Sequence, residues 1–103
     1  MKRILFIDDE REMACATIAR TSQEGLDLLR SGTWDEVWLD HDLSGEDTTL
    51  PVVDWLSESA YFDRPVVPVV YVHSMNPIGA DTIVRSLRRY GYQVVRTAPP
   101  LVE

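Results

Sequence analysis

Short, wholly apolar runs alternate along this chain with stretches whose apolar residues recur every three or four positions. Ile4 to Ile7 is the first such run, and it breaks off into Asp8, Asp9 and Glu10. A run that short and continuous predicts a parallel strand buried on both faces. Thr17 to Arg20 reads as a second short strand. Thr21 or Ser22 is placed to cap a helix over Gln23 to Arg30, with Leu26, Leu28 and Leu29 on one side and Gly32 beyond its end. Glu36 to Asp40 is the third strand. Thr48 or Thr49 starts a helix with Pro51 in its first turn, and Val52, Val53, Trp55 and Leu56 supply its apolar face. Val66 to Val72 is another strand, with Pro65 and Pro68 pointing to strain or a late start. Asp81 to Tyr90 is a helix ended by Gly91, Gln93 to Arg96 a last strand, and APPLVE a tail. Strands and helices in this alternation predict an α/β fold with a parallel sheet in one domain over residues 1–103.

Ligands of such sheets bind outside the carboxyl ends of the strands. That rule brings together three clusters distant in sequence: Asp8–Asp9–Glu10, Asp40–His41–Asp42 and His73–Ser74–Met75–Asn76. The carboxylates at one sheet edge repel each other. At ~6 Å and an effective dielectric near 20, each pair costs roughly 3 kcal/mol. Either protons stay bound or a cation sits among them. Carboxylate oxygens suit magnesium or manganese, and an imidazole tilts the choice toward manganese or another transition metal.

Composition narrows the partners. The net charge of −7 argues against a long nucleic acid, which needs a basic face. It leaves room for a small phosphorylated ligand, because a bound metal reverses the local sign. No apolar run is long enough to span a bilayer, and a cytoplasmic protein is expected. The single Cys15 excludes an internal disulfide and a cysteine-based zinc site; a small core or semi-buried residue is expected there.

The order of these clusters resembles the receiver domain of response regulators. In that domain an acidic pair ends the first strand, an aspartate the third and a hydroxyl the fourth. Asp8 and Asp9 match the pair, and Asp40 matches the phospho-acceptor. The hydroxyl position falls on His73, with Ser74 next, and no lysine ends the last strand, where Arg96 is the nearest cation. IDDE, LDHDLSG and HSMNPIGA are together more similar to a smaller family, the receiver-like domains predicted to process cyclic phosphates. The resemblance implies a receiver-like (flavodoxin-like) five-stranded parallel sheet of order 2-1-3-4-5, here with a reduced first helix and no final helix. It also implies a metal-dependent phosphoesterase acting on a small cyclic phosphate, such as a 2′,3′-cyclic nucleotide end or a cyclic nucleotide. The alternative is a degenerate receiver-type signalling or ligand-binding module without catalysis.

The expected metal ligands are Asp8, Asp9, Asp40 and Asp42, with magnesium or manganese as the cofactor. In an extended chain Asp40 and Asp42 share a face. His73, Asp40 and His41 are the catalytic candidates. His73, protonated beside the carboxylates, would donate to a leaving alkoxide. Ser74, Asn76, Gly79 and Arg96 are the candidates for holding the phosphate, aided by free N–H groups at the start of the helix that follows. Turn formation by Asn76–Pro77 is the structural alternative. Right-handed crossovers put the middle helices on one sheet face, so the other is expected to be covered by the tail Pro99–Val102, by residues 10–16, or by a second copy of the chain in a homodimer.

Overall fold

The computed structural model describes residues 2–98. Its elements are β1 (Ile4–Ile7), β2 (Thr17–Ala19), α1 (Ser22–Ser31), β3 (Glu36–Leu39), α2 (Leu50–Phe62), β4 (Val69–Val72), α3 (Pro77–Arg89) and β5 (Val94–Arg96). The five strands form one parallel sheet in the order β2-β1-β3-β4-β5. Leu5 is paired with Val37, Val37 with Val70 and Val70 with Val94. This is the flavodoxin-like receiver fold. Among the described residues, no helix is long and apolar enough to cross a membrane.

The three crossovers from β2 onward all run in the same direction across the sheet. Their helices therefore lie on one face, with α2 packed between α1 and α3. Leu5, Ile7, Val37, Leu39, Val70 and Val72 meet Leu26, Leu29, Val52, Leu56, Ile83 and Leu87 in the core on that side. The connection from β1 to β2 runs the other way and holds no helix, so the reduced first helix is in fact absent. Cys15 sits in this connection with φ 64° and is exposed, contrary to the expected semi-buried position. A loop turning in nine residues has no second face to hide it.

The opposite sheet face carries Ile4, Phe6, Glu36, Trp38, Val69 and Tyr71 by strand alternation. Trp38 and Tyr71 stack with centroids 4.3 Å apart, and Phe6 is fully buried beside them. The expected covering segment Pro99–Val102 lies outside the described residues.

Several boundaries differ by one residue from the sequence pattern, and two differ by more. β4 begins at Val69 and not Val66, because Pro68 has no N–H to give the ladder. The helix expected from Asp81 begins at Pro77. Asn76 caps it, its side chain accepting from the Gly79 N–H at 3.0 Å, and Pro77 occupies the first turn, where a missing N–H costs nothing.

Candidate functional site at the carboxyl edge of the sheet

Alternation along the strands carries the aromatic face straight into the acidic edge. Asp8 is two residues beyond Phe6, Asp40 two beyond Trp38, and His73 two beyond Tyr71. All three are buried. One carboxylate oxygen each from Asp8 and Asp40 and one ring nitrogen of His73 lie within 4.8 Å of one another. Backbone bonds from Asp40 N–H to Ile7 O and from His73 N–H to Leu39 O, at 3.1 and 3.0 Å, extend the ladder by one step and fix these side chains in register.

Asp8 is the most heavily bonded group. Its Oδ1 accepts from the backbone N–H of Glu10 and Arg11 at 2.8 and 2.9 Å. Its Oδ2 accepts from Arg11 Nη1 at 3.3 Å and is 3.1 Å from His73 Nε2. Burial alone raises the pKa of a carboxyl and is the largest single influence. The two backbone N–H groups, His73 and the guanidinium together outweigh it and hold Asp8 below its ordinary value. Asp40 moves the other way. Burial first, and then the charge of Asp8, raise it, against Ser74, the His41 N–H and Arg11.

His73 departs from the expected protonated state. Burial lowers its pKa more than the hydrogen bond and charge of Asp8 raise it. The neutral ring then donates from Nε2 to Asp8. It stacks on Phe6 with centroids 4.8 Å apart and planes 10° apart. Its Nδ1 has no hydrogen-bond partner among the described residues.

A cleft of about 240 Å³ opens above the cluster, lined by Asp9, Glu10, Arg11, Asp40, Asp42, Leu43, Ser74, Met75 and Asn76. Asp9 reaches it from the rim, accepting from Ser44 Oγ at 3.1 Å. Asp42 does not share a face with Asp40, because β3 ends at Leu39. It is exposed, forms an isolated bridge with Thr48, and is held by His41 Nδ1 at 2.9 Å and Asn76 Nδ2 at 3.2 Å. The His41 hydrogen bond, followed by that of Asn76, lowers the Asp42 pKa.

His41 turns against the first turn of α3, where a Cβ on Gly79 would come within 2.6 Å of its Cδ2 and 2.8 Å of its Nδ1. Gly79 is thus explained by close packing, and its N–H is already given to Asn76. Asn76 O also accepts from Ala80 N–H. The start of α3 is therefore largely self-capped, and does not offer the row of free donors expected for a phosphate. Arg96 is exposed on the edge strand and is not among the residues lining the cleft.

Two arginines belong to the site without having been singled out in the sequence. Arg11 contacts both buried carboxylates, at 3.3 Å for Asp8 and 3.7 Å for Asp40. Arg20, at the end of neighbouring β2, donates from Nη1 to the carbonyls of Asp8 and Arg11 at 3.2 and 2.7 Å. The signal was available: buried acids require compensating cations, and the parallel pairing of β1 and β2 brings Arg20 to the same edge.

The donor set fits a hard divalent cation: two carboxylate oxygens, a nearby imidazole and further carboxylates at the rim. Asp8 and Asp40 would hold it.

Comparison with known structures gives the same fold at low identity. A phosphorylated cyanobacterial phytochrome response regulator, RcpA, is 16% identical over 93% of this chain and 79% of its own, with a TM-score of 0.60. The receiver domain of a Francisella response regulator, 1452, is 14% identical over 94% and 84%, also at 0.60. The inactive regulatory domain of the repressor of iron transport regulator, RitR, is 16% identical over 99% and 85%, at 0.63. No curated protein matches the chain. The family described as "Cyclic-phosphate processing Receiver domain" matches residues 3–89, a span that includes every strand-end cluster described above. The chain belongs to the cyclic-phosphate processing receiver domain family.

Proposed function

We propose that the protein is a metal-dependent phosphoesterase that opens a small cyclic phosphate, with Asp40 as its reacting carboxylate. The observation that carries this is the buried Asp8–Asp40–His73 group beneath an open, polar cleft. The family match agrees with it. Asp8 and Asp40 hold a magnesium or manganese ion, with Asp9 and Asp42 at the rim. When bound, the ion neutralises the acidic cleft and withdraws electron density from the phosphoryl oxygens. Asp40, which lines the cleft, is placed to take a proton from an attacking water. The water oxygen bonds to phosphorus, the ring P–O bond breaks, and the leaving alkoxide takes a proton from solvent in the open cleft. Ser74 and Asn76 contact the phosphate.

His73 has no exposed surface. In this scheme it orients Asp8 as a neutral donor and does not touch the substrate. His41 acts through Asp42, and Gly79 through the room it leaves for His41. Arg96, exposed and away from the cleft lining, has no role in it.

A second scheme is receiver-type signalling, in which Asp40 accepts a phosphoryl group. Its support is the position of Asp40 at the end of β3, matched to the phospho-acceptor. Against it stands Arg96, exposed where the receiver has its lysine. Packing of a second copy on the aromatic sheet face, with Trp38 and Tyr71 at its centre, is part of either scheme.

The test is a hydrolysis screen against 2′,3′-cyclic mononucleotides and cyclic dinucleotides with magnesium or manganese, comparing wild type, Asp40→Asn and His73→Ala. Turnover abolished in Asp40→Asn and reduced in His73→Ala supports the phosphoesterase. Absence of turnover, together with an intact-mass gain of one phosphoryl group on Asp40 after acetyl phosphate treatment, supports signalling.

A further inference from the structure

We infer that Arg11 is a displaceable counter-ion: its guanidinium holds the place of a divalent cation between Asp8 and Asp40, and is released toward the phosphate when the ion binds. This rests on the proposal that these carboxylates hold a metal. The starting observation is that a single nitrogen, Nη1, makes both contacts, to Asp8 Oδ2 at 3.3 Å and Asp40 Oδ2 at 3.7 Å. A divalent ion held by the same two aspartates would compete with the guanidinium for the space between them. Ion and guanidinium therefore cannot both hold that position.

The surrounding chain is built to let the side chain move while its backbone stays. Arg11 lies in the helix-free connection between β1 and β2. Its backbone is fastened at both ends, the N–H to Asp8 Oδ1 at 2.9 Å and the carbonyl to Arg20 Nη1 at 2.7 Å. Its side chain is 25% exposed and lines the same cleft as Ser74 and Asn76. A long side chain pivoting on a fixed backbone can leave the carboxylates without leaving the cleft. The guanidinium fork matches a phosphate's oxygens in geometry and charge. Arg11 would then supply positive charge to the ligand only after the metal has replaced it below. Metal and phosphate binding become ordered, and the unloaded site keeps its buried acids paired.

The test measures magnesium and manganese affinity of the wild type, Arg11→Gln and Arg11→Lys by isothermal titration calorimetry at pH 7.5. Arg85→Gln serves as the charge control, since Arg85 pairs with Asp81 on the exposed face of α3. Arg11→Gln removes the competitor, so its metal affinity should rise at least about tenfold, with Arg11→Lys between it and wild type and Arg85→Gln unchanged. In a second titration, with the metal saturating, inorganic phosphate should bind Arg11→Gln about tenfold more weakly than wild type. Circular dichroism melts identify any variant that has not folded, and Arg11→Lys then carries the comparison. Metal affinity unchanged or weakened in folded Arg11 variants overturns the displacement. Phosphate affinity unchanged overturns the release toward the ligand. A wild type that binds no metal overturns the metal site itself, an outcome distinct from either.

Discussion

A methyl group added at Gly79 should destabilise the protein through one neighbour, the His41 ring. The Cβ would lie 2.6 Å from His41 Cδ2 and 2.8 Å from Nδ1, distances that force the ring or the first turn of α3 to move. Overpacking of this kind costs about 1–3 kcal/mol. Alanine also gains about 1 kcal/mol over glycine inside a helix. Gly79→Ala alone should thus change stability by between about zero and −2 kcal/mol. In a His41→Ala background the clash is gone, and the same substitution should stabilise by about 1 kcal/mol. The coupling energy between the two sites is then about 1–3 kcal/mol. Urea denaturation of the four proteins in the double-mutant cycle measures it. For a domain of this size, 1 kcal/mol corresponds to about 4–8 °C in Tm, so thermal melts give an independent reading. A coupling below about 0.5 kcal/mol, with Gly79→Ala equally stabilising in both backgrounds, would refute the packing of His41 on Gly79.

Other consequences can be measured separately. His73 is buried with its pKa below the ordinary 6.5, so the unfolded chain takes up its proton first as pH falls. In metal-free buffer, stability should fall as pH drops below about 6.5, and His73→Gln should flatten that slope; an equal slope in both proteins would exclude His73 as its source. Asp8, held below its ordinary 3.8, adds its own loss only as pH falls below that value, whereas Asp40, raised, acts in the opposite sense by taking up a proton in the folded state. Asn76→Ala removes the cap of α3 and should cost about 1 kcal/mol by urea denaturation, whereas an unchanged midpoint would contradict the cap. Packing of a second copy on the Trp38–Tyr71 face predicts a dimer mass by light scattering that Trp38→Glu converts to a monomer; a wild-type monomer at all concentrations would remove that interface.

Most of the architecture was legible because short apolar runs and helical periodicity record burial directly. The runs at 4–7, 36–39 and 69–72 are buried on the helix side by one alternation and meet the aromatic layer by the other. The convergence of the three strand-end clusters followed from topology alone. What pattern could not supply was the assignment of neighbours within a cluster. Asp8 and Asp9 read alike, yet alternation buries one and leaves the other at the rim. Asp40 and Asp42 seemed to share a face only on the assumption that the strand continued, and it stops at Leu39. The protonation of His73 turned on the balance between desolvation and an adjacent charge, which depends on depth and not on sequence. Arg11 and Arg20 carry no local mark in the sequence, because their partners are set by the β1–β2 pairing and the buried acids beside it. Asn76–Pro77 held the start of α3 in plain view, but a loop motif and a helix cap use the same residues.

The most direct test of a metal held by Asp8 and Asp40 is a manganese titration followed by electron paramagnetic resonance of the free ion, on wild type, Asp8→Asn and Asp40→Asn. One bound ion per chain in the wild type, lost in both folded variants, is the predicted result. Equal binding in all three proteins, or no binding by the wild type at millimolar manganese, would contradict it.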